Sequence, residues 1–66
     1  MSRRLRPHEF IILKILEASR FKMTTSEIAT ETRMGWKTAR KTLERLYKEK
    51  YATKQRKGNR IYWDLR

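Results

Sequence analysis

Two runs of apolar residues at helical spacing, separated by a break at Gly35, constrain this chain more than any other feature. The members of the second run return at spacings of four, three and one residues: Ala39, Leu43, Leu46 and Tyr47. This run predicts a helix from about Trp36 to Lys50. The face opposite the apolar one carries Lys37, Lys41, Glu44 and Lys48, with Thr38, Arg40 and Arg45 on its flanks.

The first run follows a helix-start signal. Thr24-Thr25-Ser26-Glu27 has the pattern of a capping box, in which Thr24 accepts from the amide three residues on and Glu27 reaches back. This pattern predicts a helix from about Thr25 to Arg33 that buries Ile28 and Ala29. Residues 21–23 alternate apolar and polar side chains, which predicts a short strand before that helix.

The end of the chain changes to a period of two, which is typical of a β-hairpin around Lys57-Gly58-Asn59. Two registers are open. A three-residue loop sets Arg56 opposite Arg60 and puts Tyr51, Ile61, Trp63 and Leu65 on the inner face. A two-residue Gly58-Asn59 turn adds Lys54 and Arg56 to that face. We favour the three-residue loop because it keeps charges out of the core.

The chain begins with a basic arm, residues 1–6, and the remaining residues, 7–66, are predicted to form one domain. Pro7 suits a first helical turn, so a helix is expected from about Pro7 to Ser19 or Arg20. The predicted class is α+β, in the order helix, strand, helix, helix, strand, strand. The predicted core consists of Ile12, Leu16, Ile28, Ala29, Ala39, Leu43, Leu46 and Trp63.

The first helix has more apolar residues than one face can use. Phe10 and Ile11 fall outside the arc that holds Ile12 and Leu16. We therefore expect Phe10 and Ile11 to form the interface of a homodimer. The alternative is that the arm or the last strand covers them within one chain.

Charge narrows the choice of partners. Eighteen Lys and Arg against seven Asp and Glu give a formal net charge of +11, which favours a polyanion, nucleic acid ahead of an anionic membrane surface. The second half is the more basic one, since residues 34–66 hold eleven cations and three carboxylates.

Several functional classes are disfavoured. There is no cysteine and a single histidine, His8, so no zinc site or disulfide is expected, and no nucleophile with a base is suggested. The longest apolar run, residues 10–13, is far short of the roughly 20 residues of a membrane span, and no signal peptide precedes it. We expect a cytoplasmic, non-enzymatic protein without a cofactor or a small-molecule ligand.

The pattern as a whole resembles a winged helix-turn-helix DNA-binding domain. The resemblance rests on Ile28-Ala29, then Met34, Thr38, Ala39, Leu43 and Leu46, then Tyr51 and a basic hairpin ending Ile61-Tyr62-Trp63. It covers about residues 7–65, and the family includes many archaeal, bacterial and viral transcription factors. One departure is that the family commonly has glycine at the position of Arg33, whereas here Gly35 follows two residues later.

The resemblance and the charge pattern together predict a site for double-stranded DNA. A helix fits the major groove, where the exposed face of the third helix meets bases and flanking cations meet phosphates. Arg40 is the best candidate for a guanine contact. The predicted DNA-binding residues are Thr24, Thr25, Trp36, Lys37, Thr38, Arg40, Lys41, Arg45, Lys54, Arg56, Lys57 and Arg60.

These residues also have plainer interpretations. The third helix can be a solvated face with Lys41–Glu44, Arg40–Glu44 and Arg45–Glu49 pairs. Trp36 can cap the core, and Trp63 is expected to anchor it. The primary role expected of Thr24 and Thr25 is to cap the helix, and a phosphate contact is secondary.

The leading functional hypothesis is a small sequence-specific transcriptional regulator, associated with the nucleoid of a prokaryotic, archaeal or viral system. The alternatives are a general DNA-organising protein and a protein-interaction module of the same fold. A left-handed-duplex binder of this fold is disfavoured, because Arg40 and Glu44 stand where its motif has asparagine and tyrosine. RNA binding remains an alternative, although no stacking aromatics are evident outside the core.

Overall fold

The computed structural model describes residues 5–66 and has the predicted α+β class. Its elements are α1 (Pro7–Ala18), β1 (Met23–Thr24), α2 (Thr25–Thr32), α3 (Trp36–Lys48), β2 (Ala52–Lys57) and β3 (Arg60–Leu65). Most of the predicted basic arm lies outside the described residues. Leu5, the first described residue, packs against the core.

Helix α1 is fixed at its start by Pro7 and Glu9. The Glu9 carboxylate accepts from the backbone N–H of Arg6 at 2.9 Å, which satisfies a donor that the helix itself leaves open. Glu9 is buried, and its Oε2 lies 4.0 Å from Nη1 of Arg45 on α3. A carboxylate at the start of α1 therefore also joins α1 to α3.

The capping box predicted at the start of α2 is confirmed. The backbone N–H of Glu27 donates to Thr24 Oγ1 at 3.2 Å, and the N–H of Thr24 donates to Glu27 Oε1 at 2.8 Å. The preceding strand is Met23–Thr24, which starts two residues later and ends one residue later than the predicted residues 21–23. Thr24 thus ends β1 and caps α2, so no loop separates them.

The turn after α2 keeps its geometry without glycine. Arg33 has φ 59° and ψ 27°, and its N–H donates to Thr30 O at 3.3 Å while that of Met34 donates to Ala29 O at 3.1 Å. This pair of bonds is a Schellman motif, whose left-handed residue is usually glycine. Gly35 has φ −63° and does not supply that conformation. Arg33 therefore carries the strain of the turn.

Helix α3 ends in the same way. Lys50 has φ 66°, its N–H donates to Tyr47 O at 3.1 Å, and the N–H of Tyr51 donates to Leu46 O at 2.9 Å. The left-handed residue turns the chain directly into β2. Both ends of the α3 region thus depend on a cationic residue in a conformation that favours glycine.

The three strands form one antiparallel sheet in the order β1-β3-β2. Lys57 pairs with Arg60 and Arg56 with Ile61, so Gly58 and Asn59 alone connect β2 to β3. Gly58 has φ 59°, as the first position of a type II′ turn requires. The three-residue loop that set Arg56 opposite Arg60 is therefore wrong.

The two-residue turn places Lys54 on the inner face, opposite Trp63. Its ammonium lies 4.8 Å from the ring centre of Tyr47 and 5.8 Å from that of Trp63, and 3.2 Å from Glu44 Oε1. The aliphatic stem covers apolar surface while the charge meets aromatic faces and a carboxylate. Lys54 is tolerated on the inner face because a lysine at the core's edge retains partners for its charge.

The predicted core is confirmed in full. All eight predicted residues are buried: Ile12, Leu16, Ile28, Ala29, Ala39, Leu43, Leu46 and Trp63. Ala52 of β2 joins them, and Met34, Tyr51 and Leu65 pack against the same cluster. The core lies between the three helices and the inner face of the sheet.

We predict that Arg33→Gly stabilises the protein by about 0.5–1 kcal/mol. A left-handed conformation costs an L residue roughly 1–2 kcal/mol, and the greater freedom of unfolded glycine offsets about 0.5–1 kcal/mol of that gain. The measurement is chemical denaturation. Arg33→Ala is the matched control, because it removes the same side chain but keeps Cβ and the strain. Equal midpoints for both variants would contradict this explanation of the turn.

Candidate nucleic-acid interface

Helix α3 presents a cationic outer face. Its inner residues Ala39, Leu43 and Leu46 have no exposed surface, which fixes the rotation of the helix on the core. A shallow cleft along the outside is lined by Trp36, Lys37, Arg40, Lys41, Glu44, Arg45 and Lys48. Five of the predicted site residues are thereby brought onto one surface.

Trp36 and Arg40 form a pair at the start of this face. The guanidinium carbon of Arg40 lies 5.4 Å from the centre of the Trp36 ring, and 48% of Trp36 is exposed. The distance is within the range of a cation–π contact. Trp36 therefore does not cap the core. Instead, its ring contacts the guanidinium of Arg40, which lies one helical turn further along α3.

A second cleft lies between the start of α2, the start of α3 and the wing, by which we mean β2, β3 and their turn. It is lined by Thr24, Thr25, Ser26, Glu27, Trp36, Arg40, Asn59, Arg60 and Ile61. Arg40 belongs to both clefts. The structure thus joins the predicted residues of the capping box, the third helix and the wing in one continuous surface.

Thr25 is the exception in the second cleft. Only 7% of the residue is exposed, and its Oγ1 accepts from Nε1 of Trp63 at 2.8 Å. A buried indole N–H needs an acceptor, so this bond gives the Thr25 hydroxyl a structural role. The DNA contact expected of Thr25 stays a prediction.

Two predicted cations are held by carboxylates of the fold. Lys54 is directed to Glu44 and two aromatic rings, and 30% of its side chain is exposed. Arg45 reaches toward Glu9 and also lines a separate cleft between α1 and α3, together with Thr38 and Lys41. Thr38 accordingly lies away from the wing. These contacts make Lys54 and Arg45 structural residues as well as charged ones.

The remaining cations of the wing lie around its tip. Lys57 and Arg60 are exposed and face each other across the turn, and Arg56 Nε donates to Gly58 O at 3.3 Å. The Arg56 bond ties its guanidinium to the turn. The wing therefore offers three cations within a few residues of Gly58.

The predicted dimer residues are exposed on α1. Phe10 is 53% and Ile11 is 42% exposed, and Nζ of Lys14 lies 5.7 Å from the Phe10 ring centre. In the described part of the chain, neither the last strand nor any other element buries them. Their exposure leaves an apolar patch at the surface of α1.

Residues 5–66 contain no group of three or more His, Cys, Asp or Glu residues placed to hold a metal ion. Among these residues there is also no helix with the length and hydropathy of a membrane span.

Sequence reasoning missed three features of these surfaces. The sequence did carry a signal for the role of Glu9, because a carboxylate three residues after the N-cap residue, here Arg6, is typical of a capping box. The Glu44–Lys54 contact depends on the hairpin register, and no signal in the sequence indicated it. Phe21 was assigned to a strand, but it lies before β1 and is 81% exposed.

No family model matches the sequence, and no curated protein is significantly similar to it. Solved structures do match. A possible transcriptional regulatory protein of Mycobacterium bovis is 27% identical with a TM-score of 0.82, over 91% of this chain and 62% of that one. The zinc-responsive MarR family member ZitR of Lactococcus lactis is 23% identical with a TM-score of 0.84, over 100% and 46%.

The same arrangement also occurs in human N-acetylserotonin methyltransferase, at 12% identity and a TM-score of 0.81, over 89% of this chain and 17% of that one. This chain thus spans between 17% and 62% of the three solved chains, and the Mycobacterium bovis chain is itself a fragment of residues 1–100. The likeness shows that the fold is the winged helix-turn-helix of transcriptional regulators. Because one such fold also belongs to an enzyme, function must be argued from the surface.

We predict that Thr25→Val destabilises the protein by about 1–3 kcal/mol, the cost of leaving a buried donor without its partner. Valine keeps the shape of threonine but cannot accept from the Trp63 indole. Thr25→Ser retains the hydroxyl and is the matched control, with a smaller loss expected. The measurement is thermal unfolding. If Val and Ser lower the stability equally, the indole bond contributes nothing.

Proposed function

We propose that this protein binds double-stranded DNA at preferred sequences and acts as a transcriptional regulator, with α3 in the major groove. The carrying observation is the continuous cationic surface on which Arg40 is shared by the α3 cleft and the wing cleft. An α-helix of about 10–12 Å diameter fits a major groove about 12 Å wide. The surface therefore matches duplex DNA in both shape and charge.

Arg40 is the proposed base reader. A guanidinium can donate two parallel hydrogen bonds to O6 and N7 of guanine, a pairing that selects one base. Its contact with Trp36 limits the conformations of the side chain before DNA is bound. Lys37 and Lys41 lie on the same face and supply further base or phosphate contacts.

The wing and the start of α2 are proposed to hold the backbone. Lys57 and Arg60 at the wing tip are placed for phosphates of the same or the neighbouring groove. The amides at the start of α2, beside Thr24, provide donors of the kind that bind phosphate at helix N-termini. Arg56 adds charge close to the turn. Lys54 contributes to the local potential while its ammonium remains at Glu44.

A general DNA-organising protein is the second candidate, favoured by the net charge of +11. In that case affinity comes from phosphates and changes little with sequence. A role as a protein-interaction module accounts for the apolar patch on α1 but leaves the cationic face without a partner. Either DNA-binding role places the protein at the nucleoid in the cytoplasm.

We further propose that two copies associate through Phe10 and Ile11. A two-fold dimer presents two recognition helices about one duplex turn apart, ~34 Å, and reads a near-palindromic site. Doubling the contacts compensates for the limited surface of one small domain. The exposed apolar pair on α1 is the proposed centre of the contact between the two copies.

The first test of this proposal compares Arg40→Ala with Lys57→Ala. Arg40→Ala is expected to cost about 1–3 kcal/mol on the preferred site, defined by selection from a random duplex pool, and much less on scrambled duplex. Lys57→Ala is expected to weaken both alike and to flatten the slope of log affinity against log salt by about 0.9 per monomer. The measurement is a salt titration of each variant on both duplexes.

The contrast between the two variants decides between the DNA-binding roles. If Arg40→Ala and Lys57→Ala lower affinity by the same factor on both duplexes, α3 does not read sequence and the DNA-organising role replaces the regulator. If neither changes binding, this surface is not the DNA interface.

The second test addresses the dimer. Wild type should sediment as a dimer in the micromolar range, and Phe10→Lys should be monomeric because a charge in an apolar interface lacks a partner. Phe21→Lys is the matched control, since it changes an even more exposed phenylalanine on another surface. A wild-type monomer at high micromolar concentration, with and without DNA, would rule the dimer out.

A further inference from the structure

The most exposed large apolar side chain in the described residues is Phe21, in the loop between α1 and β1. At 81% exposure it contributes nothing to the core. It lines a cleft on the sheet with residues of β2 and β3, which we call the sheet cleft: Arg20, Phe21, Lys22, Gln55, Lys57, Tyr62 and Asp64. The exposed Phe21 ring is accessible to a ligand in this cleft.

The loop holds Phe21 in place by its backbone. Ser19 Oγ donates to the carbonyl oxygen of Phe21 at 2.5 Å and accepts from its N–H at 3.3 Å. Both bonds involve the main chain and leave the ring free. The ring is thus presented outward from a fixed turn, which lowers the entropy lost when a ligand stacks on it.

Cations surround the ring. Arg20 and Lys22 flank it in sequence, and Lys57 lines the same cleft. Nζ of Lys22 donates to Oε1 of Gln55, which connects the loop to β2. Asp64 is the one carboxylate of the cleft, and its Oδ1 accepts from the N–H of Leu65 at 2.8 Å. Three cations against one carboxylate leave the sheet cleft electropositive.

The sheet cleft lies on the face of the sheet opposite the core. Trp63 points to the helices, so its neighbours Tyr62 and Asp64 point outward, as does Gln55, the partner of Tyr62. No residue of α3 lines the sheet cleft. A ligand here would leave the face of α3 accessible.

We propose that the sheet cleft binds unpaired nucleotides of single-stranded DNA or RNA. A base stacks on Phe21, and Arg20, Lys22 and Lys57 meet the phosphates on either side. Aromatic rings beside cations are the combination by which proteins hold single strands without reading their sequence. A duplex offers no base face for stacking, so this site does not depend on the proposed duplex-binding surface, with which it shares only Lys57.

The test is fluorescence anisotropy with labelled oligothymidylate of about 20 nucleotides, longer than the ~4–16 nucleotides that one small single-strand binding fold covers. Phe21→Ala is expected to weaken binding about tenfold, the lower part of the range for losing one stacked base. Phe21→Trp should retain the affinity of wild type. Duplex affinity should be unchanged in both variants, while Arg40→Ala should change duplex binding alone.

Tyr47→Ala is the matched control, because Tyr47 is an exposed aromatic residue beside a lysine on α3 and belongs to neither proposed interface. It should not alter binding of the single strand. An abasic strand of equal length separates stacking from charge, and wild type should bind it about as weakly as Phe21→Ala binds oligothymidylate. Oligouridylate in place of oligothymidylate tells whether DNA or RNA is preferred.

Several results would overturn the proposal. Equal losses for Phe21→Ala and Tyr47→Ala, or equal affinities for the abasic and normal strands, would leave only non-specific charge attraction. A larger loss for Arg40→Ala than for Phe21→Ala would place the single strand on α3. Polyglutamate is the test for an acidic protein partner. If it competes with the strand, and if the Phe21→Ala variant binds it more weakly than wild type does, the partner is an acidic protein instead.

Discussion

The fold depends on the burial of one indole. Trp63 is fully buried at the centre of β3, the strand that pairs with both others, and its N–H donates to Thr25 at the start of α2. One side chain therefore connects the sheet to the helix pair. In a chain of 66 residues, where little surface can be buried, this contact is a main constraint on the position of α2 relative to the sheet.

The cations of the chain fall into two groups, those paired with carboxylates at the edge of the core and those exposed on the surface. Glu9 and Glu44 take Arg45 and Lys54 as partners at the edges of the core, whereas Lys37, Arg40, Lys41 and Lys57 remain exposed. Cations that a carboxylate holds are costly to redirect to phosphate, because the carboxylate would lose its partner. The exposed cations are accordingly better candidates for nucleic-acid contacts than the paired ones.

The helices and the core could be predicted because each depends on local periodicity and on side chains large enough to require burial, such as Leu43 and Trp63. The hairpin register could not, since Lys54 was assumed to be incompatible with an inner face and its partners Glu44 and Tyr47 lie on another element. The burial of the Thr25 hydroxyl could not be predicted either. Its burial depends on Trp63, 38 residues away in the chain.

Arg33 and Lys50 show how the geometry of a turn can persist without its usual residue. Both hold left-handed conformations within Schellman motifs that join α2 to α3 and α3 to the sheet. Tertiary packing of Met34 and Tyr51, the residues that follow them, fixes the chain on either side. Glycine would meet the backbone requirement at less strain, but arginine and lysine add charge at both ends of α3. Stability is thus exchanged for positive potential around the helix proposed to enter the groove.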